Sequence, residues 1–193
     1  MALALKLHSD RPAWVDQLRS ADVSAVTQLV SILAFAGLTA LGAQIRVYLW
    51  EVPFTLQTVA VYGSGLFLGW RNGLLAQVLY LALGLALPVY AGGGVGVAYL
   101  LAAASGGYLL AFPIVAAVVG RLSDRWNALP GSIVSMIGGS VVLFAVGVTW
   151  LHFAADHATW FESIDKGWLR FIAADLAKIL AVGLCYSGLR RVN

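Results

Sequence analysis

Charged residues are scarce in this sequence of 193 residues. Only 11% are Asp, Glu, Lys or Arg, whereas 61% are hydrophobic and the mean hydropathy is +0.86. Soluble domains carry about twice that charged fraction. The composition therefore argues against a soluble domain and predicts a protein that crosses a membrane several times. The formal net charge of only +3, without a basic run, argues against a nucleic acid as partner.

Cysteine is nearly absent as well, because Cys185 is the only one. A single cysteine excludes an internal disulfide framework and a metal site built from several cysteines. His152 and His157 are five residues apart, which does not match the i, i+4 pair of a helical zinc site. We therefore expect no metal and no cofactor, and we expect these two histidines to be solvated.

The first 22 residues lack the uninterrupted apolar core of a cleavable signal peptide, because charged residues and a proline are spread through them. We interpret residues 1–22 as a cytoplasmic arm, with a short surface helix from about Trp14 to Leu18. Residues 23–193 are then expected to form one transmembrane domain.

Six apolar stretches approach the roughly 20 residues that a helix needs to cross the hydrocarbon core. If the N-terminus is inside, eight of the twelve Lys and Arg residues fall on the cytoplasmic side, in agreement with the positive-inside rule. The sequence therefore predicts an all-α integral membrane protein with six transmembrane helices and both termini inside. The predicted spans are roughly 24–49, 56–70, 73–88, 105–121, 131–151 and 168–189.

Two of these spans, 56–70 and 73–88, are shorter than the usual minimum of about 17 residues. A tight turn at Trp70 joins them on the inner side, so the missing length lies on the outer side, beside the stretch EVPFTLQT at 51–58. Interrupted spans indicate a transport site, and irregular backbone at membrane depth is tolerated where it lines a cavity. The glycine-rich loop at 88–108 is either a flexible outer loop or a gating lid.

The last span contains two charged residues, Asp175 and Lys178, whose i, i+3 spacing puts them on one helix face. Charged groups inside a span are costly and are usually functional or paired. The two either neutralise each other or bind a ligand, and we favour a ligand because buried ion pairs often fail to recover their desolvation cost. Other candidates in the same outer half are Gln44, Arg46, Gln57, Tyr90, Ser105 and Tyr108, although Arg46 alone would be expected to reach the headgroups.

Small residues recur in the first span, where Ala36 and Ala40 are four residues apart. This spacing allows another helix to approach closely. The partner helix belongs either to this chain or to another.

Five motifs, in the same order, make the chain resemble the BioY family, the substrate-binding S components of energy-coupling-factor biotin transporters. The resemblance extends from about residue 30 to residue 190. The motifs are VPFTLQTVAV at 52–61, GLFLGWRNG at 65–73, LALGLALPVYAGGGVG at 81–96, SGGYLLAFP at 105–113 and DLAKIL at 175–180.

This resemblance implies a six-helix S-component bundle with a biotin pocket near its outer face, in a cell membrane that we expect to be bacterial. It implies a transport subunit rather than an enzyme, whose partners are a transmembrane coupling protein and two ABC-type ATPases. In the family, the first helix docks the coupling protein through a small-residue motif that Ala36 and Ala40 match. The biotin site of the family is matched by Asp175 and Lys178, and its motifs also contain Gln57 and Tyr90.

The chemistry of biotin agrees with these residues. A carboxylate such as Asp175 can accept hydrogen bonds from the N–H groups of the cyclic urea. A cation, Lys178 or in second place Arg46, would meet the carboxylate or the ureido oxygen of biotin. Apolar walls that include Phe54 and Tyr90 would cover the thiophane ring.

Two other functions remain open from the sequence. The chain could be an S component, or a facilitator that works alone, for a different small vitamin. It could also be an intramembrane enzyme such as an acyltransferase, for which Asp175 and His152 are the only plausible nucleophile or base.

Overall fold

The computed structural model describes residues 14–20, 22–48 and 51–191, so most of the predicted N-terminal arm lies outside the described residues. The described chain is mostly helical, and short 3₁₀ turns connect several of the helices. The elements are α1 (Ala25–Gln44), β1 (Arg46–Val47), β2 (Phe54–Thr55), α2 (Gln57–Ala86), α3 (Gly96–Ala102), α4 (Gly106–Ser123), α5 (Leu129–Ala154), α6 (Trp160–Gly167) and α7 (Ile172–Leu189), with 3₁₀ turns at Trp14–Arg19, Ala91–Gly93 and Leu169–Phe171.

The first helix is shorter than the predicted span of 24–49. It begins after Ser24, whose hydroxyl accepts a hydrogen bond from the amide of Thr27 at 3.1 Å, and it ends at Gln44. The chain then forms a two-stranded antiparallel ladder, in which Arg46 is opposite Thr55. The all-α prediction is therefore incomplete, because the stretch EVPFTLQT returns toward α1 as a strand.

Helix α2 is a hairpin and not one continuous rod. Gly69 interrupts it with a φ of 75°, in the left-handed region that favours glycine. The hydrogen bond from the side-chain amide of Gln77 to the hydroxyl of Ser64, at 3.1 Å, joins the two halves across this break. The chain therefore reverses near Gly69, close to the turn predicted at Trp70, and the halves correspond to the two short predicted spans.

Five stretches of the described chain are long and apolar enough to cross a membrane. Helix α4 is central, since 61% of its most apolar window is buried, whereas for α1 the value is only 17%. Close packing around α4 depends on Gly120, where an added Cβ would lie 2.3 Å from the backbone nitrogen of Trp70. The five stretches are Ala25–Gln44, Gln57–Gly93, Gly106–Ser123, Leu129–Ala154 and Trp160–Leu189.

The part of the N-terminal arm that the structure describes is packed against the bundle. Val15 is fully buried, and the guanidinium of Arg19 donates to the carbonyl oxygens of Leu66 at 3.1 Å and Gly120 at 2.9 Å. The same guanidinium forms an ion pair with Asp124. The predicted surface helix is therefore a 3₁₀ turn that closes the ends of α2 and α4.

The two short helices α3 and α6 fall in segments that the sequence predicts as loops. Helix α6 begins after Thr159, whose hydroxyl accepts a hydrogen bond from the amide of Glu162 at 3.2 Å. It carries Ser163, whose hydroxyl lies 2.9 Å from Nδ1 of His152 and 3.0 Å from Nδ1 of His157. His157 is only 9% exposed, so the prediction that it is solvated is wrong.

A group of buried polar side chains, which we call the Gln77 cluster, joins α1 to both halves of α2. Its members are Thr39, Ser64 and Gln77, all fully buried. The hydroxyl of Thr39 donates to the side-chain oxygen of Gln77 at 3.2 Å, and the amide of Gln77 donates to Ser64. These bonds fix the position of α1 against the hairpin.

Candidate functional site

A cavity lies where β2, the start of α2, the glycine-rich loop and α7 meet. Its volume in this structure is about 50 Å³, smaller than a pocket that encloses a small molecule, so it has to widen to admit one. The stretch EVPFTLQT supplies part of its wall, and aromatic and aliphatic side chains supply most of the rest. The lining residues are Val52, Pro53, Thr55, Gln57, Thr58, Ala91, Tyr99, Ser105, Tyr108, Leu109, Phe112, Leu143, Phe144, Phe171, Asp175 and Lys178.

The carboxylate of Asp175 is held by two hydroxyl groups from other helices. Tyr62, on the first half of α2, donates to Oδ1 at 2.8 Å, and Ser140, on α5, donates to Oδ2 at 2.6 Å. Asp175 itself is only 4% exposed. Each oxygen of this buried carboxylate therefore receives one hydroxyl hydrogen bond.

The ammonium group of Lys178 is bound to the stretch EVPFTLQT. It donates to the carbonyl oxygen of Thr55 at 2.8 Å and to the hydroxyl of Thr58 at 3.1 Å. An ammonium group has three N–H donors, so one remains available. Lys178 therefore joins α7 to the start of α2 and retains a donor for a further acceptor.

Asp175 and Lys178 share the cavity without forming an ion pair with each other. Each is hydrogen-bonded to neutral groups instead, and both line the same space. Mutual neutralisation, one of the two interpretations open from the sequence, does not describe this arrangement. The cavity presents a negative and a positive group side by side, which suits a ligand with donors at one place and an anion at another.

Three other predicted residues, Gln57, Ser105 and Tyr108, also lie on the cavity wall. The side-chain oxygen of Gln57 accepts from the hydroxyl of Thr55 at 3.0 Å, and its amide donates to the hydroxyl of Tyr80. Tyr108 donates to the carbonyl oxygen of Gly167 at 2.7 Å, which ties α4 to the end of α6. The side chains of Gln57 and Tyr108 therefore shape the wall through bonds within the protein.

Four predicted residues, Phe54, Tyr90, Arg46 and Gln44, are not on the wall. Phe54 lies behind it and stacks on Phe171, with ring centroids 4.2 Å apart. Tyr90 is fully buried, and its hydroxyl donates to the carbonyl oxygen of Leu81 at 2.7 Å. Arg46 lies on the exposed strand β1, where it hydrogen-bonds Gln44. Phe54 and Tyr90 support residues that line the cavity, and Arg46 stands outside it.

Sequence reasoning missed the two hydroxyl partners of Asp175. Tyr62 is four residues after Thr58, so both lie on the same face of α2, and this spacing could have pointed to it. Ser140 lies in an apolar span and carries no comparable signal. An aromatic wall was predicted with Phe54 and Tyr90 in it, but the aromatic side chains that line the cavity are others, among them Phe144 of α5 and Phe171 of the 3₁₀ turn before α7.

The small residues of α1 face the interior of this chain. Ala36 is fully buried, and Ala40 is partly buried against the core. The side chain of Ala36 is therefore covered by other residues of this chain in this conformation. The exposed face of α1 is made of large apolar side chains instead, among them Leu38 and Leu41.

An ionic group connects the stretch EVPFTLQT to α6. Lys166 lies 2.8 Å from a carboxylate oxygen of Glu51 and 2.9 Å from one of Glu162. His157 lies 3.7 Å from Glu51. The hydrogen bond from Lys166 lowers the pKa of Glu51 below its ordinary value.

Known proteins with this sequence pattern and fold were identified by comparison. The sequence model of the BioY family matches residues 15–193. A protein of Lysinibacillus sphaericus named probable biotin transporter BioY is 38% identical, covering 85% of this chain and 87% of its own. The biotin transporter BioY of Thermotoga maritima is 33% identical, covering 86% of this chain and 97% of its own.

A solved structure agrees with these relatives. The crystal structure of the S-component for biotin from an ECF-type ABC transporter superposes with a TM-score of 0.78 at 25% identity, covering 87% of this chain and 93% of the other. The match to the family extends over nearly the whole chain, and the fold agrees with that of an S component. This chain belongs to the BioY family.

Proposed function

We propose that this chain binds biotin in the outer cavity and takes it up across a cell membrane as the S component of an energy-coupling-factor transporter. One observation carries the proposal. Asp175 and Lys178 line one cavity, each hydrogen-bonded to neutral groups and not to the other, and each retains bonding capacity. Two charged groups held in this way inside a membrane span are expected to serve a ligand.

Biotin matches the cavity group by group. The carboxylate of Asp175 can accept an N–H of its cyclic urea, and the remaining N–H of Lys178 suits its valerate carboxylate. Once the cavity widens, the apolar thiophane ring would lie among aromatic side chains such as Phe112, Phe144 and Phe171. We assign Lys178, and not the exposed Arg46, to the carboxylate, because only Lys178 lines the cavity.

We place six spans in a bacterial cell membrane, with both termini inside. The hairpin of α2 supplies two of them, and the distribution of Lys and Arg supports this orientation. The coupling protein and the two ATPases are separate chains in this proposal. The docking surface is the exposed apolar face of α1, around Leu38 and Leu41, and not the buried side chain of Ala36.

A titration of the purified protein with biotin tests the ligand directly. Asp175→Asn should weaken binding by about 10- to 100-fold, because a hydrogen bond to a charged group is worth roughly 1.5–3 kcal/mol. Asp156→Asn is the matched control, since Asp156 is exposed and its φ of 50° also suits asparagine. A panel of other vitamins in competition separates biotin from the alternative substrates, and displacement by another vitamin in preference to biotin would overturn the assignment.

The docking surface is tested separately. An added Cβ at Gly37 meets no atom within 4 Å, so Gly37→Trp adds bulk to α1 without a clash inside the chain. This variant should bind biotin normally and lose uptake when it is expressed with the coupling module. Normal uptake would argue against docking through α1.

A further inference from the structure

The carboxylate of Asp175 receives its two hydrogen bonds from two different helices. Tyr62 reaches Oδ1 from the first half of α2, and Ser140 reaches Oδ2 from α5. A carboxylate oxygen has two lone-pair positions, and each hydroxyl occupies one of them. One acceptor position on each oxygen therefore remains, and the plane of the carboxylate is fixed by the two hydroxyl groups.

The hydrogen bond of Ser140 differs from those of neighbouring serines. A serine inside a helix commonly donates to a carbonyl oxygen of the preceding turn. Ser135, also on α5, does this with the carbonyl oxygen of Gly131 at 2.8 Å. Ser140 donates to Asp175 instead, at 2.6 Å, across to another helix. Its hydroxyl therefore acts on the carboxylate and not on the local backbone.

Tyr62 shows the same preference. Its side chain is fully buried, so its hydroxyl needs a partner, and the partner is Asp175 at 2.8 Å. The two hydroxyl groups restrict rotation of the carboxylate, because any rotation would break at least one of these short bonds. A fixed carboxylate presents its remaining acceptor positions in fixed directions, so it selects the direction from which a ligand N–H approaches.

We propose that Tyr62 and Ser140 are positioning residues that fix both oxygens of Asp175, so that a remaining acceptor position points at a ureido N–H of the ligand. The site then selects ligands that offer an N–H in that direction, as a cyclic urea does, over ligands in which that nitrogen is methylated. This inference rests on the proposed function, because it assigns the ureido ring of biotin to Asp175. It adds the residues and the geometry from which the selectivity arises.

The test measures the dissociation constants of biotin and of biotin methylated on one ureido nitrogen, and the ratio between them. Ser140→Ala and Tyr62→Phe should each weaken biotin binding by about tenfold. Each should also lower the preference for biotin over the methylated analogue at least threefold. Ser140→Thr keeps the hydroxyl and should restore both values. Dethiobiotin, which keeps the ureido ring, should lose affinity in parallel with biotin.

Matched controls separate positioning from general damage. Ser135→Ala removes a buried hydroxyl from the same helix, and Tyr186→Phe removes a tyrosine hydroxyl that donates to the carboxylate of Asp16 at 2.7 Å, away from the cavity. Both should leave the ratio unchanged, and a variant that merely distorts the cavity should weaken both ligands equally. If the wild-type protein binds biotin but the ratio is unchanged in Ser140→Ala and Tyr62→Phe, this inference alone is overturned. If the wild-type protein does not bind biotin, both the proposed function and this inference fail.

Discussion

The Asp175 site and the Gln77 cluster are both buried polar groups in apolar helices, but they differ in what they leave unused. In the Gln77 cluster, the hydroxyl of Ser64 accepts from the amide of Gln77 and donates to a backbone carbonyl oxygen of its own helix. The single hydroxyl hydrogen of Thr39 is shared between the side-chain oxygen of Gln77 and a backbone carbonyl oxygen of its own helix. At the other site, Asp175 and Lys178 retain free acceptor and donor positions and line a cavity. We call the Gln77 cluster closed because its side chains bond one another and their own helices. We call the Asp175 site open because its charged groups keep bonding positions for a ligand.

This difference shows how a polar residue in a membrane span can be assigned a role. A hydrogen-bonded group without an adjacent space serves helix packing, and interhelical bonds of this kind contribute only about 0.6 kcal/mol on average. A charged group with unused capacity beside a cavity is too costly for packing alone. Mutations at the Asp175 site should therefore change the affinity for the ligand, whereas mutations in the Gln77 cluster should change the stability of the fold.

The largest expected effect is on the open site. Lys178→Gln should weaken biotin binding by about 10- to 100-fold, because an ionic hydrogen bond to the carboxylate is lost. The wild-type protein should prefer biotin over biotin amide, and the variant should bind the two about equally. Isothermal titration with both ligands checks this, and a preserved preference would mean that Lys178 does not meet the carboxylate. The amide comparison is needed because Lys178 also holds Thr55 and Thr58.

A smaller effect is expected at the closed cluster. Gln77→Leu should lower the free energy of unfolding by about 1 kcal/mol or less, since the hydroxyl groups of Thr39 and Ser64 keep their backbone partners. Thermal unfolding in detergent measures this change, and the affinity for biotin should remain that of the wild-type protein. A loss of biotin binding with an intact fold would remove the distinction between the two regions.

The smallest effect is expected at the surface ion pairs between Glu51 and α6. Because Lys166 lowers the pKa of Glu51 in the folded state, the contribution of Glu51 is present above its ordinary value of 4.5 and is lost as pH falls through the lower folded value. His157 and Glu162 share this environment, the latter through Lys166. Glu51→Gln should slightly lower the midpoint of thermal unfolding at pH 7, and this effect should shrink as the pH falls below 4.5. A shift of the midpoint that does not change with pH would contradict this origin.

Much of the helical architecture follows from the sequence, because the cost of exposing polar backbone to lipid forces long apolar stretches into helices. The predicted stretches of 105–121 and 131–151 overlap α4 and α5 closely. The strands were not predicted, since two residues are too few to show alternation. Helices α3 and α6 are likewise too short for a helical period to be evident.

The site was predictable only in part, for the same kind of reason. Asp175 and Lys178 stand out because charge is rare in a span, and their spacing puts them on one face. Tyr62 and Ser140 become relevant only when three helices are brought together, which no local pattern specifies. The positions of Phe54 and Tyr90 behind the wall depend on side-chain packing, and so does the burial of Ala36.

The contacts of Arg19 have a consequence for the order in which the chain completes its fold. Its guanidinium holds carbonyl oxygens of Leu66 and Gly120 and the carboxylate of Asp124, which lies 105 residues further along the chain. During synthesis, the segment that carries Arg19 must therefore wait for residue 124 before these contacts exist, so it is fixed in place only after α4 has been made.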